Sequence, residues 1–204
     1  MITIIDYKMS NLGSILNMLK KAGSHDNCIA TEPRHILEAT KIIMPGIGSF
    51  DAAILKLQEM KLIEPLRQKA MEEKIPFLGI CLGMQLMLEG SEEGTLPGLG
   101  FVKGRVKKFE FDQSSKLRSP HMGWNTVIAQ KESKILSGEK PPRFYFVHSY
   151  YVQCDDPSDV LTLTDHGQNF VSAFEHQNLI GVQFHPEKSH NFGMDLFKNF
   201  VEKY

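Results

Sequence analysis

The run Pro76-Phe77-Leu78-Gly79-Ile80-Cys81-Leu82-Gly83-Met84-Gln85-Leu86-Met87-Leu88 joins a short apolar strand to an apolar helix, with a cysteine at the junction. Glycines stand two residues before and two after Cys81, the spacing of a nucleophile elbow. A turn that sharp brings neighbouring backbone close, and only a residue without Cβ fits easily there. Cys81 would then lie at a helix N-terminus, where orphan N–H groups and the helix dipole favour a thiolate. A lone cysteine in an apolar stretch is ordinarily a small buried hydrophobe. Here the flanking strand and helix supply the context the motif needs, and the chain later reads His185-Pro186-Glu187. Nucleophile, base and orienting carboxylate are the three parts of a thiol acyl-transfer site.

Upstream, strands and helices alternate. Ile2-Thr3-Ile4-Ile5 is a short β-rich run, and Leu12, Ile15, Leu16 and Leu19 then form one helical face. Cys28-Ile29-Ala30-Thr31 reads as a second strand and Lys41-Ile42-Ile43-Met44 as a third, ending at Pro45-Gly46-Ile47-Gly48. Helical segments follow through Ala52, Ile54, Leu55, Met60 and Leu62, and again over 63–74. Such alternation implies a parallel sheet covered on both faces, with functional groups at the carboxyl ends of the strands. The Ile47 loop and Cys81 should therefore share one sheet edge.

Beyond Gly98-Leu99-Gly100 the pattern changes. Segments 102–111, 126–129, 143–152, 160–164, 169–175 and 179–184 are strand-like with turn residues between them, and a helix over 192–201 closes the chain. The polar stretch 112–119 reads as a mobile hairpin tip. No linker, repeat or low-complexity tract divides the sequence, so a single domain over 1–204 is expected.

A length of 204 residues suits one sizeable domain. With 42% hydrophobic and 23% charged residues, the composition is that of a folded globule rather than a disordered chain. A net charge of −1 without a basic run speaks against nucleic acid as a partner. No apolar stretch is long enough to span a membrane and no signal peptide opens the chain, so a cytoplasmic protein is expected. Three cysteines without a C-x-x-C pair disfavour a disulfide framework or a cysteine-rich zinc site. The eight histidines lack zincin spacing, and His25, His35, His166, His176 and His190 sit among polar residues that suggest solvation. No metal and no cofactor are expected.

Residues two apart in an extended segment point the same way, which lets His185 and Glu187 face one side. Pro186 fixes its own φ and biases His185 toward extended geometry.

Gly79-Ile80-Cys81-Leu82-Gly83-Met84-Gln85, together with Gln183-Phe184-His185-Pro186-Glu187-Lys188-Ser189, resembles the class I, triad-type glutamine amidotransferases. Pro45-Gly46-Ile47-Gly48-Ser49-Phe50, Pro120-His121-Met122-Gly123-Trp124-Asn125 and Tyr145-Phe146-Val147-His148-Ser149-Tyr150, in this order, look like the glutaminase subunits of imidazole glycerol phosphate synthases. The likeness spans Asp6 to Ser189. It implies a three-layer, flavodoxin-like α/β fold, its central sheet mostly parallel with an added antiparallel β-rich part. It implies hydrolysis of L-glutamine by Cys81, His185 and Glu187, with oxyanion donors from the backbone of Leu82 and of Ile47 and Gly48. The glycines around Ile47 would let a peptide there flip between donating and non-donating orientations.

By the same likeness Gln85, Glu93, His148, Ser149 and Tyr150 would bind glutamine. Glu93 could equally belong to an ordinary polar loop, and Tyr145 to Val147 and Tyr150 to a core strand. One amidotransferase domain leaves no room for a synthase, so the ammonia must be used by another polypeptide. The resemblance makes that partner a (β/α)8-barrel cyclase, docked near Asn11, Trp124, Asn125 and Lys188. Trp124, the only tryptophan, suits an interface anchor or a core position alike. One departure is local: Lys8 and Ser10 stand where the family is richer in glycine. Relatives that feed ammonia to other synthases, for instance in surface-polysaccharide sugar modification, are the alternative, followed by a related thiol hydrolase or a binding module.

Overall fold

Ile2–Ile5 form β1 with all four residues buried, which is why the segment shows no polar alternation. Helix α1, Leu12–Lys21, buries Ile15 and Leu19. Strand β2, Asn27–Ala30, leads to a five-residue helix α2, Pro33–Leu37, too short for a periodic signature. Next come β3, Lys41–Gly46, then α3, Phe50–Glu59. Helix α4, Ile63–Arg67, continues into a π-helical turn, Gln68–Glu72, covering most of the helix expected over 63–74. Strand β4, Phe77–Cys81, is wholly buried and runs directly into α5, Leu82–Leu86. This computed structural model describes residues 1–111, 117, 119–136 and 141–204. The expected hairpin tip at 112–119 falls almost wholly outside the described residues.

The second half supplies β5, Gly104–Lys108; β6, His121–Thr126; β7, Ile128–Ala129; β8, Arg143–His148; and β9, Tyr150–Cys154. Strands β10, Val160–Asp165, β11, Asn169–His176, and β12, Leu179–Val182, precede the closing helix α6, His190–Lys203.

The main sheet runs β2-β1-β3-β4-β12-β11-β10-β7, with β9 and β5 branching from β11. Its first five strands are parallel, in the flavodoxin-like order with β12 as the fifth. Strands β11, β10 and β7 extend it antiparallel. Apolar side chains pack on both faces. One layer contains Phe50, Leu57, Leu66 and Leu86; the other contains Ile15, Leu19, Phe197 and Phe200 with Phe144 and Phe146 of β8. The result is a three-layer α/β fold whose central sheet is mostly parallel and carries an antiparallel extension.

Two expectations need correction. The run 143–152 is two strands broken at Ser149: β8 pairs with β6 in a separate ribbon, whereas β9 joins the main sheet. The strand expected over 126–129 is instead the end of β6, which starts at His121 and pairs with β8 over six positions, followed by the short β7. That ribbon is tied to the main body by a bridge between Tyr145 and His185.

Candidate active site

Gly46 and Cys81 are paired residues at the carboxyl ends of β3 and β4, so the Ile47 loop and the cysteine share the expected sheet edge. Cys81 adopts φ 54°, ψ −110°, a conformation costing a non-glycine residue about 1–3 kcal/mol. The surroundings enforce it. Gly83 passes so close to β3 that a Cβ there would land on the Met44 carbonyl oxygen. Because α5 has only five residues, the field at Cys81 comes from its first-turn N–H groups rather than from a long dipole.

His185 follows β12, and its Nδ1 donates to Glu187 Oε1 at 2.8 Å, with both side chains almost fully buried. The sequence reading is corrected in one respect: Pro186–Lys188 is a 3₁₀ turn, not extended chain. Proline at the first turn position favours that geometry, and the tight turn brings Glu187 back under the imidazole. Three further bonds fix the base. His185 N–H donates to the Tyr145 carbonyl at 2.9 Å, Ser189 Oγ donates to the His185 carbonyl at 2.6 Å, and Tyr145 N–H donates to Ser189 Oγ at 3.0 Å. Burial pulls the imidazole pKa down, but interaction with Cys81 and the hydrogen bond to Glu187 outweigh it and raise the value to about 10.

Cys81, His185, Leu82, Ile47 and Gly48 line one cavity of about 320 Å³. Gln85, Glu93, His148, Ser149 and Tyr150 line it too, so all the expected glutamine-binding positions converge there. Glu93 accepts a 2.9 Å bond from Phe50 N–H, and burial raises its pKa. This ties the loop after α5 to the start of α3, which an ordinary surface loop would not do.

Several roles are narrowed by the geometry. Ile47 N–H donates to the Met9 carbonyl at 2.8 Å, so in this conformation it is not free for an oxyanion. Leu82 opens α5, where an N–H has no helical acceptor, and Gly48 has φ 104°. His148 has both ring nitrogens engaged, Nδ1 with the Tyr150 carbonyl at 2.8 Å and Nε2 with His121 Nδ1 at 2.9 Å. It can offer a ligand its ring edge, not a free nitrogen. Gln85 uses its amide N–H groups on the Tyr150 carbonyl and on Gln183, leaving its own oxygen.

Lys8 takes φ 66° despite its side chain, and Asp6 supports the turn by accepting from Lys8 N–H at 2.8 Å and from Lys8 Nζ at 2.9 Å. The missing glycine is thus replaced by a side-chain brace.

Gln183 and His121 stand in the quoted motifs, but neither they nor Tyr7 were assigned a role from sequence. Gln183 is fully buried and donates to Cys81 Sγ at 3.7 Å. It lies two residues before His185, a spacing that in extended chain would have placed both side chains on one side. The Tyr7 hydroxyl is buried against Gly46, behind the Ile47 loop. His166 and His176 are not simply solvated: one ring stacks on His121 at 4.2 Å, the other bonds Asp159 at 2.7 Å.

Trp124 is 40% exposed and its ring lies parallel to that of His190 at 5.5 Å. Lys188 is exposed above the Tyr145 ring, Tyr145 pairs with Trp124, and Asn11 is exposed at the start of α1, which packs on the Pro186–Lys188 turn. These side chains lie around one side of the molecule. Asn125 is half-buried and donates to the Asp165 carbonyl at 2.8 Å, so its amide is partly committed internally. Among the described residues, no group of three or more metal-capable side chains clusters, and no helix is long and apolar enough to cross a membrane.

A family model for glutamine amidotransferase class-I matches residues 3–204. Imidazole glycerol phosphate synthase subunit HisH 2 of Methanococcus maripaludis is 50% identical over 204 residues, covering 100% of both chains. Subunit HisH of Leptospira interrogans is 47% identical over 203 residues, covering 98% of this chain and 99% of the relative. Subunit HisH 2 of Pseudomonas aeruginosa is also 47% identical, over 99% of each chain. A solved glutamine amidotransferase structure shares the fold, with a TM-score of 0.75 at 16% identity over 98% of this chain and 97% of that one. With its elbow, its buried histidine–glutamate pair and these full-length matches, the chain belongs to the class-I glutamine amidotransferase family.

Proposed function

We propose that this chain is the glutaminase subunit of an imidazole glycerol phosphate synthase, releasing ammonia from glutamine for a cyclase partner in histidine biosynthesis. The observation that carries the proposal is the convergence of Cys81, His185 and the positions expected to bind glutamine on one cavity, in a chain 43–50% identical over its full length to subunits of that name.

Cys81 Sγ attacks the carboxamide carbon of glutamine while the imidazolium of His185 gives a proton to the departing nitrogen. Ammonia leaves and a γ-glutamyl thioester remains. His185, now neutral, takes a proton from water, whose oxygen adds to the thioester carbon. Glutamate and the sulfur anion are released, and the imidazolium is restored. Glu187 holds Nδ1–H throughout, orienting the ring and offsetting its charge. The Leu82 N–H and a peptide of the Ile47–Gly48 loop cradle the oxyanion, each such donor being worth about 2.7–4 kcal/mol. For the loop to serve, Ile47 N–H must leave the Met9 carbonyl, and partner docking is the event that would release it.

Free ammonia is mostly protonated at neutral pH, so it is passed through a dry route to the partner. That partner is a (β/α)8-barrel cyclase in the cytoplasm, docked on the side bearing Asn11, Trp124 and Lys188. The test is to mix the chain with a histidine-pathway cyclase and measure glutamine-dependent product formation. Activity that matches the ammonia-dependent rate supports the proposal; no glutamine-dependent product overturns it. The relatives numbered HisH 2 keep a second reading in view, a glutaminase serving another synthase. Glutamine hydrolysis stimulated by that synthase and not by the cyclase would select it.

A further inference from the structure

The Tyr150 carbonyl accepts two side-chain hydrogen bonds, from Gln85 Nε2 at 3.1 Å and from His148 Nδ1 at 2.8 Å. A carbonyl can only accept, so it fixes the polarity of both chains that start from it. On one arm His148 must carry its proton on Nδ1. Its Nε2 is then an acceptor, and the 2.9 Å contact makes His121 Nδ1 the donor. On the other arm Gln85 must turn its NH2 toward Tyr150. The same NH2 then faces Gln183 at 2.9 Å, so the atom of Gln183 opposite it must be the oxygen.

That leaves the NH2 of Gln183 facing Cys81 Sγ at 3.7 Å, within the range of an N–H···S bond. The reverse flip would set two NH2 groups against each other and a carbonyl oxygen against the sulfur. Gln183 is fully buried and Gln85 nearly so, leaving little water to compete for either amide.

We propose that Gln183 is a further catalytic residue, its side-chain N–H donating to the Cys81 sulfur, with Gln85 as the positioning residue that fixes the direction of that donation through the Tyr150 carbonyl. This rests on the glutaminase reading for its consequence in turnover. The sulfur bears negative charge before it attacks the amide and again when the thioester breaks. A buried N–H aimed at it offsets that charge in both steps and holds the sulfur at a set angle to the cavity. Gln183 is not among the residues lining the cavity, so its effect should fall on turnover more than on affinity.

The first test compares Gln183→Met, which keeps length and removes the donor, with the parent chain in the presence of the cyclase. The expected result is a kcat lower by roughly 10- to 100-fold, the range for a hydrogen bond to a charged group, with KM unchanged. Gln183→Glu, which places a carboxylate against the sulfur, should be worse than Gln183→Met. The second test needs neither glutamine nor partner. Alkylation of Cys81 by iodoacetamide at fixed neutral pH should slow in Gln183→Met, whereas a merely structural glutamine would leave that rate unchanged once folding is matched.

Should the variants fail to fold, the parent protein still decides. The side-chain amide NMR signal of Gln183 should move when Cys81 is alkylated, more than the backbone signals of neighbouring residues do. A kcat and an alkylation rate within about twofold of the parent in Gln183→Met, or an amide signal indifferent to alkylation, overturns the proposal. Loss of glutaminase activity in the parent itself would instead overturn the functional reading, leaving the alkylation and NMR results to judge Gln183 alone.

Discussion

In the free chain Ile47 N–H is held by the Met9 carbonyl at 2.8 Å, although Ile47 lines the cavity that contains Cys81. The peptide expected to receive the oxyanion is committed elsewhere, and Gly46, which flanks it, has no side chain to resist its turning. Trapping Cys81 as a thiohemiacetal with glutamate γ-semialdehyde in the partner complex should break the Met9 bond and turn this N–H toward the adduct oxygen. A crystal structure of that adduct checks it; an intact Ile47–Met9 bond would show that the loop donor is not Ile47.

Substitution of Gly83 tests the elbow. Its Cβ would collide with the Met44 carbonyl oxygen, backbone that cannot swing aside. Gly83→Ala should lose about 1–3 kcal/mol of stability, the usual cost of overpacking, and lose activity beyond that because Cys81 moves with the turn. Urea unfolding alongside a glutaminase assay separates the two effects.

Glu187→Gln keeps the shape of the side chain and removes its charge. Without the carboxylate, one of the two partners that raise the His185 pKa is lost while Cys81 remains, so the value falls from about 10. The expected outcome is a kcat reduced by about 10²- to 10⁴-fold, and an alkaline limb of the rate profile shifted to lower pH. A pH–rate profile identical to the parent's would contradict the assigned role.

His121 and His148 set a limit on acid stability. Burial lowers their values to about 4 and about 3, below the ordinary 6.5. In that window the unfolded chain binds more protons than the folded one, so stability falls as the pH drops from 6.5 toward 4. His121→Phe should be less stable at neutral pH, having left His148 Nε2 without its donor, but should lose less on acidification. Denaturant midpoints at several pH values give the slope. His185 acts in the opposite range: its raised value means its contribution is full below 6.5 and is lost as the pH rises toward 10.

Much of the fold was legible because it depends on local pattern. The β4–α5 elbow, the first parallel strands and the closing helix each carry an apolar signature within a dozen residues. What stayed hidden depends on pairing across the chain. Residues 143–152 look like one strand until β6 claims one half and β9 turns into the main sheet, and that break delivers Ser149 and Tyr150 to the cavity. The strand expected over 126–129 gave no hint of 121–125, yet β8 pairs with the whole of 121–126. His185 and Glu187 were matched by their spacing, but a 3₁₀ turn makes the contact where an extended segment was expected. The bonds of Gln85 to Tyr150 and Gln183, of His148 to His121 and of Ile47 to Met9 were invisible in sequence, since these partners lie on distant segments.

Acid-quenched mass spectrometry during turnover of glutamine, in the presence of the partner, tests the chemistry most directly. One γ-glutamyl group should be found on the peptide containing Cys81, should disappear as glutamine is exhausted, and should be absent in Cys81→Ala, which should also be inactive. Glutamate release without that adduct, together with undiminished turnover by Cys81→Ala, would contradict the account.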